Sequence, residues 1–208
     1  MEKQLDEVRL QMLKNQINPH FLFNTLNMIA STAQIEDADT TEKMIHALSR
    51  LFRYNLKSTD SVMPLERELK VVQDYMYLQQ MRFGQRIRYD TDCKPDTMEV
   101  LVPSFALQPL VENAIIHGIS PKGQGGRIHV RSWMEGRRLW ISVADTGRGM
   151  AQERLEEIRL ALARGEEKAT GVGVGNIYRR VHGMYRDGEV FIYSSEGRGT
   201  VVQMAFTP

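Results

Sequence analysis

Leu139-Trp140-Ile141-Ser142-Val143-Ala144-Asp145-Thr146-Gly147-Arg148-Gly149 is the stretch on which the fold turns. Leu139, Ile141 and Val143 recur at every second position, the period of a strand with one buried face, and the glycines after Asp145 end it in a turn. Upstream, Ile128, Val130 and Met134 alternate with Arg127, His129 and Trp133, so the two runs read as a hairpin around Glu135-Gly136. Val190 to Ser194 and Thr200 to Phe206 repeat the theme around Glu196-Gly197-Arg198-Gly199. Helical spacing occupies Ser104 to His117, Ala151 to Arg164 and about Val174 to Tyr185. Helices interspersed with at least four antiparallel-looking strands predict an α/β two-layer sandwich, with helices on one face of a mixed sheet.

The N-terminal part has a different period. From Glu2 to about Thr32 the pattern is helical, broken only at Pro19, and from Thr41 to about Leu56 Met44, Ile45, Leu48, Leu51 and Phe52 share one face. Glu36 to Thr40 is a polar turn between them. The apolar stripe of such a hairpin is too wide for two helices to cover, which predicts a homodimer built as a four-helix bundle. A third helix, about Leu65 to Arg82, follows Pro64 and ends before Phe83-Gly84. The change of period after Gly84 predicts two domains, 1–84 helical and 85–208 α/β, and an α+β chain overall.

Composition narrows the function. The 208 residues carry 27 Lys and Arg against 26 Asp and Glu, a net charge of +1, so nothing draws the whole chain to nucleic acid or an anionic membrane. No nucleic-acid partner is expected, and any anion must be held locally. The single cysteine, Cys93, excludes an intrachain disulfide framework and a cysteine-rich zinc site. No stretch approaches the roughly 18 apolar residues that span a bilayer.

Local anion binding has candidate parts. Asp145-Thr146-Gly147-Arg148-Gly149 follows a strand, and Gly171-Val172-Gly173-Val174-Gly175-Asn176 opens a helix. Glycine lets the backbone approach a polyphosphate with its N–H groups inward, and a helix N-terminus adds partial positive charge. No Gly-Lys-Ser or Gly-Lys-Thr of a Walker loop occurs, and the Gly171 run lacks the preceding strand of a Rossmann turn. Between Leu107 and Gly118, Leu107, Leu110, Val111, Ala114 and Ile115 form a buried stripe. Asn113 and His117, four residues apart, share another face. An Asn amide oxygen is a hard ligand suited to Mg²⁺.

Glu112-Asn113, then Asp145-x-Gly-x-Gly, then Gly171-x-Gly-x-Gly-Asn176, in that order, resembles the Bergerat-type ATP-binding domain of histidine kinases, gyrase-like topoisomerases and certain chaperones. The resemblance implies ATP and Mg²⁺ as cofactors, with Asn113 ligating Mg²⁺ and Asp145 accepting the adenine amino group. It further implies that Gly147 and Gly149 shape the base pocket, that Gly171, Gly173 and Gly175 close over the phosphates, with Asn176 at the end of the run, and that 150–170 is a lid. His117 is expected near the phosphates.

In the N-terminal half, Gln16-Ile17-Asn18-Pro19-His20-Phe21-Leu22-Phe23-Asn24-Thr25-Leu26-Asn27 interrupts a helix. Pro19 frees the carbonyl of Asn15 beside a histidine, and Gln16 and Asn24, at i−4 and i+4, place amides along the face of His20. Imidazole is largely neutral near pH 7, so a ring nitrogen is available as a nucleophile. This dodecamer, with Leu78 to Gly84 and Gly197-Arg198-Gly199-Thr200, closely resembles LytS-like and YesM-like sensor histidine kinases. The resemblance implies autophosphorylation on His20, then transfer to an aspartate of a response-regulator receiver domain. It also implies a cytoplasmic core whose membrane-spanning and sensory segments lie upstream and are absent here. Glu112, beside the metal ligand, is expected to polarise His20 when the domains dock. The competing readings are a same-fold serine kinase or ATPase, disfavoured by Pro109 where those relatives carry a carboxylate, and a nucleotide-binding dimeric scaffold.

Overall fold

The turn between the first two helices is set by Asp37, which takes a left-handed conformation at φ 54°. Ala38 N–H then reaches back to Ala33 O at 2.8 Å and Asp37 N–H to Gln34 O at 3.2 Å, the paired bonds that close a helix C-terminus. The helices so joined are α1, Pro19–Ile35, and α2, Asp39–Lys57. The computed structural model describes residues 19–57, 61–164 and 172–208. The chain divides into two compact units, Met1–Thr59 and Asp60–Pro208. The helix expected before Pro19, with Asn15 and Gln16, lies outside the described residues.

In the first unit, Ala30 and Ala33 of α1 and Ala47 and Leu51 of α2 are buried, small side chains that let two helices approach closely. Phe21, Met28 and Ile35 recur every seven residues on α1 and remain 70%, 64% and 83% exposed.

The second unit begins with β1, Val62–Pro64, which pairs with β3, Leu101–Pro103, in a short antiparallel ladder. Between them run α3, Leu65–Phe83, and β2, Ile87–Cys93. Then come α4, Gln108–Asn113, β4, Gly126–Glu135, β5, Arg138–Asp145, α5, Gln152–Arg164, α6, Val172–Met184, β6, Glu189–Ser195, and β7, Gly199–Phe206. The main sheet has the order β2-β4-β5-β7-β6, parallel between β2 and β4 and antiparallel elsewhere. One face carries the buried Ile128, Ile141, Val143 and Met204 beneath the helices. On the other, Trp140 stacks between Trp133 and Phe191, with ring centroids 5.8 and 5.9 Å away. The two-layer sandwich expected from the alternation is the fold observed.

Helix α3 packs in the second unit, with Leu65, Val72 and Met76 in its core, so the compact units part at Thr59–Asp60, while the period of the sequence changes after Gly84. The helix expected over Ser104–His117 is α-helical only over Gln108–Asn113, continues as wider π-helical turns over Ala114–Ile119, and is preceded by Phe105 at φ 59°. Among the described residues no helix is long and apolar enough to cross a membrane.

Candidate functional site

The π-helical turn explains the site. It carries Gly118 up to the end of β5, so closely that a Cβ on Gly118 would stand 2.8 Å from Asp145 Oδ1. A Cβ on Gly147 would meet the backbone of Gly118 at 2.3 Å. Arg148 N–H donates to Gly118 O at 2.9 Å and its side-chain Nε to His117 O at 3.1 Å, clasping the glycine turn to the helix. Wide turns of this kind occur often at functional sites because they displace the helix locally.

Beside this clasp opens a cleft of about 320 Å³ in the second unit, within the range of small-molecule sites. Its walls are apolar, with Leu110, Ile158, Ile192 and Val202, and its polar groups include Asn113, His117 and Asp145. Asp145 Oδ1 accepts the Gly147 N–H at 2.7 Å. Burial pushes the Asp145 carboxyl above the ordinary carboxylate range, against the pull of hydrogen bonds from the Gly147 and Thr200 backbone and of the Lys122 charge. A half-buried carboxylate in an apolar cleft is a strong acceptor for an exocyclic amine. Gly199, at φ 103°, lets β7 run past: a Cβ there would lie 1.9 Å from Asp145 O.

The structure therefore brings Asn113, His117, Asp145 and Gly149 to one cleft, with Gly147 behind Asp145. Gly173 and Gly175 stand inside α6 rather than in a loop before it, and a Cβ on Gly173 would meet Asn113 Nδ2 at 2.2 Å. Asn176 accepts from Arg179 on the same helix and does not line the cleft. Gly171 lies outside the described residues. So does the end of the expected lid; its described part is α5, whose Leu155, Ile158 and Leu162 are buried. Glu112 is turned away from the cleft: it accepts from Gln108 Nε2 at 2.7 Å, and its charge, after burial, helps push the Tyr75 hydroxyl up to about 12. In the first unit His20 is exposed, with Asn24 Nδ2 at 3.2 Å from Nδ1 and 3.5 Å from Nε2. Gly118, Met150 and Thr200 are cleft residues that the site reading missed, although the Gly197-Arg198-Gly199-Thr200 run was already visible as a motif.

Asn113 offers the cleft a neutral amide oxygen. Among the described residues no group of three or more His, Cys, Asp or Glu could hold a metal. The Asn113 amide oxygen is a hard, neutral donor of the kind Mg²⁺ accepts.

Comparison with known proteins agrees with this geometry. Residues 103–208 match the family model described as histidine kinase-, DNA gyrase B-, and HSP90-like ATPase, and residues 8–87 match the one described as histidine kinase. The chain belongs to the histidine kinase-, DNA gyrase B- and HSP90-like ATPase family. Within it, the order of the two matches makes this a histidine kinase core similar to the LytS and YpdA sensors. It is 35% identical over 191 residues to the sensor histidine kinase YpdA of Escherichia coli (strain K12), covering 90% of this chain and 32% of that protein. It is 33% identical over 197 residues to the sensor protein LytS of Staphylococcus saprophyticus, covering 94% and 33%. The chain thus spans about a third of the length of these relatives. Among solved structures, the histidine kinase domain of the Erythrobacter litoralis EL346 blue-light activated histidine kinase shares the fold, with a TM-score of 0.51 at 18% identity over 96% of this chain and 94% of that one.

Proposed function

We propose that this chain is the kinase core of a two-component sensor: it binds ATP in the cleft, phosphorylates His20 and passes the phosphoryl group to an aspartate of a receiver domain. The observation that carries the reading is the Asp145 cleft. A carboxylate pinned at a strand end by a glycine turn, faced across apolar walls by an amide, suits adenine at one end and a metal-bound triphosphate at the other. The family match supports ATP, and the relatives named as sensor proteins support the signalling role, which we place in the cytoplasm.

Mg²⁺, held by Asn113 and the phosphates, would neutralise charge on the transferring group. The rest falls to the chain. A neutral imidazole nitrogen of His20 gives its lone pair to the γ-phosphorus, the bond from phosphorus to the ADP oxygen breaks, and the ring releases the proton of its other nitrogen. In the second transfer a carboxylate oxygen attacks, the N–P bond breaks and the ring takes a proton back. Because the transition state is loose, catalysis rests on positioning. Asn24, with an amide that can face the ring by either end, orients the imidazole. Glu112, held by Gln108, would have to leave that partner to polarise His20.

The functional dimer is a second part of the proposal. Phe21, Met28 and Ile35 form a seven-residue stripe that a second copy would cover, each side chain contributing about 1.5–3 kcal/mol on full burial. Incubation with γ-labelled ATP and Mg²⁺ tests the whole reading. A label that is acid-labile, stable to alkali and lost in His20→Gln is the expected result; an acid-stable label or none overturns it.

A further inference from the structure

Helix α4, which presents Asn113 to the cleft, has no side-chain cap of its own: its N-cap residue is Leu107, which carries no polar side chain. The amides that lead into it are held from another helix. Glu68 of α3, 0% exposed, accepts the Phe105 N–H through Oε1 at 2.9 Å and the Leu107 N–H through Oε2 at 3.0 Å. A serine or aspartate at the cap position would instead accept an amide of the helix's own first turn. A buried carboxylate brought in from α3 does something a local cap does not: it ties the position of α4 to that of α3.

The tie is reinforced on both sides. The first amides of α3 are taken by the turn just before β3, Leu65 N–H donating to Val100 O at 2.9 Å and Glu66 N–H to Met98 O at 3.0 Å. From α6, Arg180 donates to Ser104 O and lies over the Phe105 ring, 5.4 Å from its centroid. One turn of chain, Ser104–Leu107, is therefore gripped by α3 through Glu68 and by α6 through Arg180. Its non-glycine residue Phe105 is held at positive φ between the two grips. The far end of α4 meets α6 again, where Gly173 faces Asn113.

We infer that Glu68 is the positioning residue for Asn113. It fixes where α4 begins, and so where the Asn113 amide oxygen stands relative to Asp145 at the end of β5. This rests on the proposed function in taking Asn113 as the group that meets metal-bound phosphates. Its consequence is a split: loss of the Glu68 carboxylate damages the metal-dependent part of ATP affinity and spares the base-dependent part. In Glu68→Gln one carboxylate oxygen is replaced by an NH₂ that faces an N–H, so one backbone bond becomes a repulsion.

The test is calorimetric titration of the whole chain with ATP, once with Mg²⁺ and once with EDTA. The wild type binds more tightly with Mg²⁺. In Glu68→Gln that gain shrinks about tenfold, while affinity in EDTA stays within about twofold, and Glu68→Asp recovers only part of it. An unchanged Mg²⁺ gain in a folded Glu68→Gln overturns the inference and leaves the proposed function standing; a wild type that binds no ATP overturns both. Should Glu68→Gln fail to fold, hydrogen exchange on the wild type decides. The Phe105 and Leu107 amides are expected to slow more with ATP and Mg²⁺ than with ATP and EDTA, and equal protection overturns the inference.

Discussion

In the first unit Phe21, Met28 and Ile35 of α1 face outward while Leu26, Ala30 and Ala33 are buried; in the second, Ile128, Ile141 and Met204 are wholly enclosed between sheet and helices. The contrast extends to the chemistry. Asp145 is held by its own turn, its neighbouring strand and the π-helical segment, all within one folded unit. His20 is exposed on α1, with the Asn24 amide one helical turn away at 3.2 Å from its Nδ1. The cleft is thus built within one unit by itself, whereas the proposed acceptor stands on α1 in the other, so the proposed reaction divides between two units.

Replacing His20 with Gln strikes the division hardest: phosphohistidine formation should fall to background while calorimetric ATP affinity remains within about twofold, because no cleft group belongs to α1. Next is Asp145→Asn, expected to weaken ATP about 10- to 100-fold because one acceptor oxygen becomes an NH₂ donor and the charge is lost, with self-association unchanged in sedimentation. The converse variant, Phe21→Asp combined with Met28→Asp, should weaken self-association by about tenfold or more and leave the ATP titration untouched. Gly199→Ala adds a Cβ against Asp145 O at positive φ, so the second unit should lose about 1–3 kcal/mol in urea unfolding while the helices of the first keep their midpoint.

The smallest effect is in pH. Burial raises the Asp145 carboxyl, so the folded chain keeps this proton over a range where the unfolded chain has released it. Its contribution to stability is therefore present below the ordinary carboxylate range and is lost as pH rises through the raised value. ATP needs the ionised acceptor, so affinity should drop severalfold as pH falls from neutrality toward that value. Asp145→Asn should flatten the profile measured by titration at several pH values.

Much of this was legible in the residues. The alternation of Leu139, Ile141 and Val143 placed Asp145 at a strand end, and the glycines after it marked a turn of close backbone approach, though not that its neighbour is Gly118. Pro64 announced α3. Strand β2, Ile-Arg-Tyr-Asp-Thr-Asp-Cys, went unread because an edge strand whose outward residues are charged and whose inward row includes threonine lacks a clean apolar alternation. The π-helical turn has no local signature: its width answers to Asp145 across the sheet. Glu68 reads as one more surface charge in Leu-Glu-Arg-Glu-Leu, and only the distant amides of Phe105 and Leu107 reveal why it is buried.

Strand β7 lies between β5 and β6, and its Thr200 stands opposite Asp145. During synthesis on a ribosome the adenine end of the cleft therefore has no wall until these late residues have emerged and threaded into the middle of a waiting sheet. A chain cut short before Gly199 lacks the strand that pairs with both β5 and β6, and its cleft stands open where Thr200 and Val202 would line it.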